Sequence, residues 1–237
     1  MREKSAFPGP IGWGVFISGF PAGSFQANCF LIAPEGGGPA VIVDPGEDAT
    51  ERIVEIVKQN GLAPVAVLLT HGHLDHTASL LEVCRTFDIP VLIHPDDEYM
   101  LDDPLAALSS QLKEALADRP TGSLRPEQVL HLVDGGAPAV ADLPITVDHT
   151  PGHTGGSVVF RIAGDGDRPE VLFTGDTLFA GSVGRTDLPG GSREVLDRSL
   201  AGKLLVRPDA ALVLPGHGPT SSIGDERRTN PFLQGLN

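Results

Sequence analysis

The segment THGHLDH, residues 70–76, is the most informative stretch of this sequence. It follows VAVLL (Val65–Leu69), an apolar run that predicts a strand buried on both faces. It precedes ASLLEVCRTF (residues 78–87), which predicts a helix. Three histidines and one aspartate therefore lie on a turn between a strand and a helix. Imidazole nitrogens and carboxylate oxygens are typical ligands of zinc, and also of iron or manganese.

Three further motifs of the same kind follow predicted strands farther along the chain: TPGHT around His153, FTGDT around Asp176 and LPGHG around His217. Each places a histidine or an aspartate beside a glycine, where the backbone can approach a neighbouring group closely. One tetrahedral ion cannot use all of these ligands, but two ions that share a bridging carboxylate can. The seven candidate metal ligands are His71, His73, Asp75, His76, His153, Asp176 and His217.

The rest of the sequence predicts strands in both halves, each followed by helices. β-Branched and aromatic stretches between glycines and prolines predict strands at Gly14–Phe20, Cys29–Ala33, Ala40–Asp44, Val65–Leu69, Pro90–His94, Val129–Val133, Ile145–His149, Ser157–Ile162, Val171–Thr174 and Ala211–Leu214. Helices are predicted at Asp48–Gly61, at residues 78–87, at Asp96–Pro120 with a break at Pro104, at Ser192–Lys203 and near Gly224–Arg228. This order predicts two sheets packed face to face, with helices outside them.

Length and composition restrict the class of protein. The 237 residues predict one domain, residues 14–237, behind a flexible leader, residues 1–13. The net charge of −14 argues against a nucleic acid or an anionic membrane as a partner, because phosphate binding needs a positive patch. Two cysteines cannot form a disulfide framework, and no apolar run suits a membrane helix or a signal peptide. We therefore expect a cytoplasmic protein.

The four motifs resemble those of the metallo-β-lactamase superfamily of metal hydrolases, over nearly the whole chain. The resemblance implies an α/β (α+β) fold, an αββα sandwich of two mixed sheets with helices on both outer faces. It implies that one ion is held by His71, His73 and His153. It implies that a second ion is held by Asp75, His76 and His217, and that Asp176 bridges both ions.

Within this family, the chain is most similar to the short bacterial glyoxalase II-like proteins, through Leu178–Ser192 and the tail IGDERRTNPFL. This implies a hydrolase that cleaves S-D-lactoylglutathione or a related low-molecular-weight thiol ester by attack of a metal-bridging hydroxide. Asp75 would accept the proton of the hydroxide as the catalytic residue. The cofactors would be two divalent ions, zinc first, with iron or manganese as alternatives. About 20 residues follow His217, too few for the glutathione-gripping helical domain of longer relatives, so the thiol carrier stays open.

Other functions fit the same residues. The chain also resembles persulfide dioxygenases, which would imply a single iron held by His71, His153 and Asp176. A lactonase or another ester hydrolase would use the same site, and a metal-loaded binding module without catalysis is a further alternative. Hydrolysis of β-lactam antibiotics is not expected, because such enzymes commonly use a cysteine where this chain has Asp176.

Four smaller predictions concern residues around these motifs. Asp44 either orients a ligand histidine or caps the end of its strand. The acidic run from Asp96 to Glu98 predicts a solvated helix start. Arg185 and Asp187 predict an internal ion pair that shapes the loop after Asp176. Cys84 lies on the apolar face of its helix and predicts a core position.

Overall fold

Six strands form the first sheet of this computed structural model, which describes residues 15–115, 122–166 and 168–236. Their spatial order follows the chain: β1 (Val15–Ala22), β2 (Ala27–Pro34), β3 (Gly38–Val43), β4 (Leu62–Leu68), β5 (Val91–Ile93) and β6 (Val129–His131). The first three strands pair antiparallel, and β3 to β6 pair parallel. Parallel neighbours need crossover connections, and helices supply the first two of them.

The helices of this first half are α1 (Thr50–Asn60), α2 (Leu74–Thr77), α3 (Leu80–Phe87), α4 (Tyr99–Asp102) and α5 (Ser110–Ala115), with a 3-10 turn at Pro95–Asp97. α1 ends at Gly61, which adopts a left-handed conformation and whose N–H caps the carbonyl of Val57. α1 and α3 pack their apolar faces against the outer face of the first sheet.

The second sheet has five strands in the order β13-β12-β9-β8-β7. These are β7 (Ile145–His149), β8 (Val158–Ile162), β9 (Val171–Gly175), β12 (Leu212–Pro215) and β13 (Ser221–Ser222). β9 and β12 run parallel, and the other pairs are antiparallel. A separate hairpin joins β10 (Leu178–Phe179) to β11 (Ser182–Val183). α6 (Arg193–Ser199), continued by one π-helical segment at Leu200–Leu204, and α7 (Ile223–Thr229) complete the second half.

The core lies between the two sheets. Phe30 of β2 and Phe173 of β9 meet edge to face there, with ring centroids 5.2 Å apart, and both rings are buried. Burying a side chain of this size contributes roughly 1.5–3 kcal/mol. Two outer apolar layers, one under α1 and α3 and one under α6, cover the opposite faces of the sheets. The predicted αββα sandwich of two mixed sheets is therefore confirmed.

Three local predictions differ from the structure. Val65 is about one-third exposed, so only the second half of β4 is buried on both faces. The continuous helix predicted for Asp96–Pro120 is wrong: turns separate the short helical segments up to residue 115, and residues 116–121 lie outside the described residues. Pro104 removes one backbone donor, which disfavours a continuous helix. The long loop predicted after Asp176 contains the β10–β11 hairpin.

The predicted leader, residues 1–13, lies outside the described residues, so the domain assignment stays a prediction. Within the part of the chain that the structure describes, no helix combines the length and the apolar character that a membrane crossing requires. Cys29 and Cys84 are both buried and unpaired, which confirms the core position predicted for Cys84.

Candidate metal centre

All seven candidate ligands lie at the same edge of the sandwich. His71, His153, Asp176 and His217 each follow the carboxyl end of a strand, namely β4, β7, β9 and β12. β9 and β12 are parallel, and β7 has the same direction because β8 is antiparallel to both β7 and β9. Side chains at the carboxyl ends of such strands meet at one edge of a sheet. The fold therefore gathers residues that are up to 146 positions apart in the sequence, from His71 to His217.

The first group of ligands consists of three buried histidines, His71, His73 and His153. Their ring centroids lie 4.6–4.9 Å apart, and Nδ1 of His73 lies 2.9 Å from Nε2 of His153. We call these residues the three-histidine group. Their nitrogens are close enough to serve one ion.

The second group consists of Asp75, His76 and His217, and we call it the mixed group. Nε2 of His217 lies 3.1 Å from Oδ2 of Asp75 and 3.3 Å from Nε2 of His76. His76 is completely buried, whereas Asp75 and His217 are each about one-quarter exposed. The mixed group therefore lies on the open side of the site.

Asp176 stands between the two groups. Its Oδ1 lies 3.3 Å from Nε2 of His76, and its Oδ2 lies 3.6 Å from Nε2 of His153 and 3.8 Å from Nε2 of His217. One carboxylate thus faces both groups at once. This is the position that a bridging ligand needs.

The site contains buried polar atoms that no protein group satisfies. Within the described residues, these are Nε2 of His71, Nε2 of His73 and Oδ1 of Asp176. Buried polar atoms are almost always hydrogen-bonded in native proteins, so these three atoms need a partner of another kind. Neutral imidazole nitrogens and carboxylate oxygens suit a divalent cation. The residues present therefore fit the metal ions that the motifs predict.

The remaining ring nitrogens are fixed by hydrogen bonds. Nδ1 of His76 lies 3.0 Å from Oδ2 of Asp44, and Nδ1 of His71 lies 3.0 Å from the hydroxyl of Thr70. Nδ1 of His153 donates to the backbone oxygen of Arg185 at 2.8 Å. Such contacts hold ring orientation and tautomer for metal binding.

Asp44 is itself held in place: it accepts from the N–H and the hydroxyl of Thr70 at 2.8 and 2.6 Å. Of the two roles predicted for it, the structure supports the orientation of a ligand histidine. Thr70 was not among the predicted site residues.

Burial and charge act differently on the two groups. Burial lowers the pKa of His73 to about 4, and the neighbouring His153 acts in the same direction. Burial also lowers the pKa of His71 well below its usual value. Burial opposes the charged form of His76 too, but the carboxylates of Asp75 and Asp176 outweigh it and raise its pKa well above the usual value. The three-histidine group thus favours neutral imidazoles, which are the form that binds a metal.

Close packing fixes the loop that carries His217. A Cβ atom at Gly216 would lie 2.2 Å from Oδ1 of Asp176 and 2.8 Å from the ring of His76. Only glycine leaves room for those two side chains, which explains the glycine of the LPGHG motif.

Sequence reasoning was wrong about two features near the site. Asp97, predicted to be solvated, is completely buried and bonded to both loops of the three-histidine group. The ion pair of Arg185 and Asp187 is present at 2.8 Å, but both side chains are mostly exposed rather than internal. The glycines of HGH and TGG were the available signal for Asp97, since both flank its carboxylate.

Comparisons with known proteins agree with this geometry. Residues 22–217 match the metallo-β-lactamase superfamily. An uncharacterized protein of Mycobacterium tuberculosis is 48% identical, over 94% of this chain and 99% of its own length. The hydroxyacylglutathione hydrolase GloC of Haemophilus influenzae is 35% identical, over 90% of this chain and 95% of its own length.

Two solved structures are similar over most of the chain. The BLEG-1 B3 metallo-β-lactamase is 37% identical with a TM-score of 0.81, over 93% of this chain and all of its own. TTHA1623, solved in a di-iron-bound form, is 35% identical with a TM-score of 0.73, over 89% of this chain and 97% of its own. Metal-binding folds of this kind use clusters of histidine and aspartate, and two such clusters are present here. The chain belongs to the metallo-β-lactamase superfamily of metal-dependent enzymes.

Proposed function

We propose that this protein is a two-metal hydrolase of small thioesters, such as S-D-lactoylglutathione or another low-molecular-weight thiol ester. The observation that carries the proposal is the position of Asp176, whose two oxygens face His76 and His153 from between the two ligand groups. The relative named hydroxyacylglutathione hydrolase, at 35% identity, supports the thioester as substrate class.

We propose the ligands that the motifs predict. The three-histidine group holds one ion, the mixed group holds the second, and Asp176 contributes to both. Two such ions, when bound, lower the pKa of a water molecule and polarise a scissile carbonyl. Zinc is the first candidate for both positions, and the di-iron-bound relative supports iron as the alternative.

The chain's own residues then divide the remaining work. Asp75 is the more exposed of the two carboxylates in the centre, so we assign it the role of proton acceptor beside its role as ligand. Asp44 holds the ring of His76 through Nδ1. The ring of Phe179 lies 6.1 Å from that of His217 on the open side of the site, where it would flank the apolar part of a substrate. A thiolate is a good leaving group, so no separate general acid is required.

A β-lactam is a second candidate substrate. The specific observation is the likeness to the BLEG-1 B3 metallo-β-lactamase, with a TM-score of 0.81. Both substrates present a carbonyl carbon to the same centre, so the ligand set does not separate them. The persulfide dioxygenase and the lactonase use the same residues and are tested together with them.

The deciding experiment measures the loss of thioester absorbance of S-D-lactoylglutathione with zinc-loaded protein. The test variant is Asp176→Ala, and the matched control is Asp187→Ala, which removes an exposed carboxylate of the following loop. We expect turnover by the wild type and by the control, and a loss of at least about 100-fold in Asp176→Ala.

Full activity in Asp176→Ala would contradict the two-metal proposal. Absence of thioester turnover, together with hydrolysis of a chromogenic β-lactam or a lactone, would replace the substrate class. Persulfide-dependent oxygen uptake by protein carrying one iron per chain would replace the reaction class.

A further inference from the structure

Asp97 is a buried carboxylate at the junction of two ligand loops, at the end of the Pro95–Asp97 turn that follows β5. Its Oδ2 accepts from the N–H of Gly72 at 3.0 Å and from the hydroxyl of Thr154 at 2.7 Å. Its Oδ1 accepts from the N–H of Gly156 at 2.7 Å. Both oxygens are therefore engaged by donors from outside the turn.

The three donors belong to the loops of the three-histidine group. Gly72 lies between His71 and His73, in the loop after the first-sheet strand β4. Thr154 directly follows His153, in the loop after the second-sheet strand β7, and Gly156 follows in that same loop. One carboxylate thus ties the loop of the first sheet to the loop of the second.

The packing around these bonds leaves no slack. A Cβ atom at Gly156 would lie 2.7 Å from the carboxylate carbon of Asp97, and a Cβ atom at Gly72 would lie 2.9 Å from its backbone oxygen. The hydroxyl of Thr154 is also 2.7 Å from that of Ser157, whose Oγ accepts from the N–H of Thr154 at 3.1 Å. Asp97 contacts no ligand of the mixed group among its hydrogen-bond partners.

We infer that Asp97 is a positioning residue for the three-histidine group: its carboxylate sets the distance of His71 and His73 from His153, and thereby the affinity of that group for its ion. The inference rests on the ligand assignment of the proposed function. Partners that orient metal ligands typically change metal affinity by about 10- to 100-fold when they are replaced.

The test measures Zn²⁺ affinity, by competition with a chelating dye, in two backgrounds that each keep one ligand group. His217→Ala disables the mixed group, and His71→Ala disables the three-histidine group. Asp97→Asn is introduced into both, because an amide keeps the size of the side chain but presents N–H to at least one of the three donors. We expect a 10- to 100-fold loss of affinity in the His217→Ala background and less than about twofold in the His71→Ala background.

A matched pair at Thr154 guards against simple misfolding. Thr154→Val removes the donated hydroxyl and should weaken Zn²⁺ binding by roughly 3- to 10-fold in the His217→Ala background. Thr154→Ser keeps the hydroxyl and should restore the affinity. Asp96→Asn, on the exposed neighbour of Asp97, should leave it unchanged. Far-ultraviolet circular dichroism of the metal-free variants checks that the fold is retained.

Equal losses in both backgrounds would show a general role in folding and would overturn the inference, as would no loss in either. If neither background binds Zn²⁺, the ligand assignment fails and the inference fails with it. If Zn²⁺ binds as expected but the thioester is not hydrolysed, only the proposed substrate fails, and the affinities still decide the role of Asp97.

Discussion

Asp44 and His76 are both buried, and Oδ2 of Asp44 lies 3.0 Å from Nδ1 of His76. Asp44 has a positive φ of 51° and also receives two hydrogen bonds from Thr70. The end of β3 thus presents a carboxylate beneath the metal centre, and this carboxylate orients one ligand ring. The turn that the sequence predicts at this position is also the support of the site.

The variant Asp44→Asn should separate this support from the backbone turn. Asparagine tolerates positive φ, but its amide places N–H against the donors of Thr70 or His76. We expect the mixed group to lose about 10- to 100-fold in Zn²⁺ affinity, measured by dye competition, and the protein to lose about 1–3 kcal/mol in free energy of unfolding. Unchanged Zn²⁺ affinity of the mixed group would contradict the orienting role of Asp44.

The metal-free protein should lose stability in mild acid. The pKa of His73 is about 4 in the native protein, below the value of about 6.5 expected in the unfolded chain. Between these two values the unfolded chain binds a proton that the native chain does not, so the free energy of unfolding falls as the pH falls. His71 shifts in the same direction. The raised pKa of His76 acts at the other end: its contribution is complete below pH of about 6.5 and is lost as the pH rises through the raised value.

Urea unfolding of the metal-free protein at pH 6.5 and at pH 4.5 measures this effect. His73 alone should account for a loss of roughly 2–3 kcal/mol at the lower pH. The variant His73→Gln should show a smaller difference between the two pH values, whereas His131→Gln, at a half-exposed histidine, should behave like the wild type. Equal stability of the wild type at both pH values would rule out the depressed pKa.

The loop that carries His217 should not tolerate a side chain at Gly216. An added methyl group would meet Oδ1 of Asp176 at 2.2 Å, so Gly216→Ala must displace the bridging carboxylate. We expect at least about a 10-fold loss of activity and weaker Zn²⁺ binding by both ligand groups. Gly202→Ala is the control, because nothing lies within 4 Å of that position, and it should be neutral or slightly stabilising. Normal activity of Gly216→Ala would show that the loop can move away from Asp176.

Glu226 of α7 holds the β10–β11 hairpin beside the site. Its buried carboxylate accepts from the N–H of Gly181 at 2.8 Å and from Nδ2 of Asn230 at 2.7 Å, and Nδ2 of Asn230 also donates to the backbone oxygen of Ser182 at 3.0 Å. Glu226→Gln leaves donors facing an amide, and the free energy of unfolding should fall by about 1–3 kcal/mol. Glu194→Gln, at a mostly exposed glutamate, should change it by less than about 0.5 kcal/mol.

Urea unfolding of the two variants gives these differences. A loss of stability as small in Glu226→Gln as in Glu194→Gln would mean that the hairpin does not depend on α7. The tail motif of the sequence would then need another explanation.

The sequence by itself determined the strand-turn motifs, because ligand residues beside glycine and directly after apolar strands leave a local pattern. From that pattern the two-sheet sandwich and the seven residues of the centre could be named, and the structure brings all seven together. Glycine at positions 72 and 216 is part of the same local signal, although only the structure shows which atoms require it.

Tertiary structure alone decided the roles of Asp97, Thr70 and Glu226. The local sequence around Asp97 is acidic and typical of a solvated helix start, yet its carboxylate accepts hydrogen bonds from two loops that belong to different sheets. Burial of a carboxylate is favourable only where donors from distant parts of the chain converge on it. Such convergence depends on how the two sheets pack, and no spacing along the chain records it.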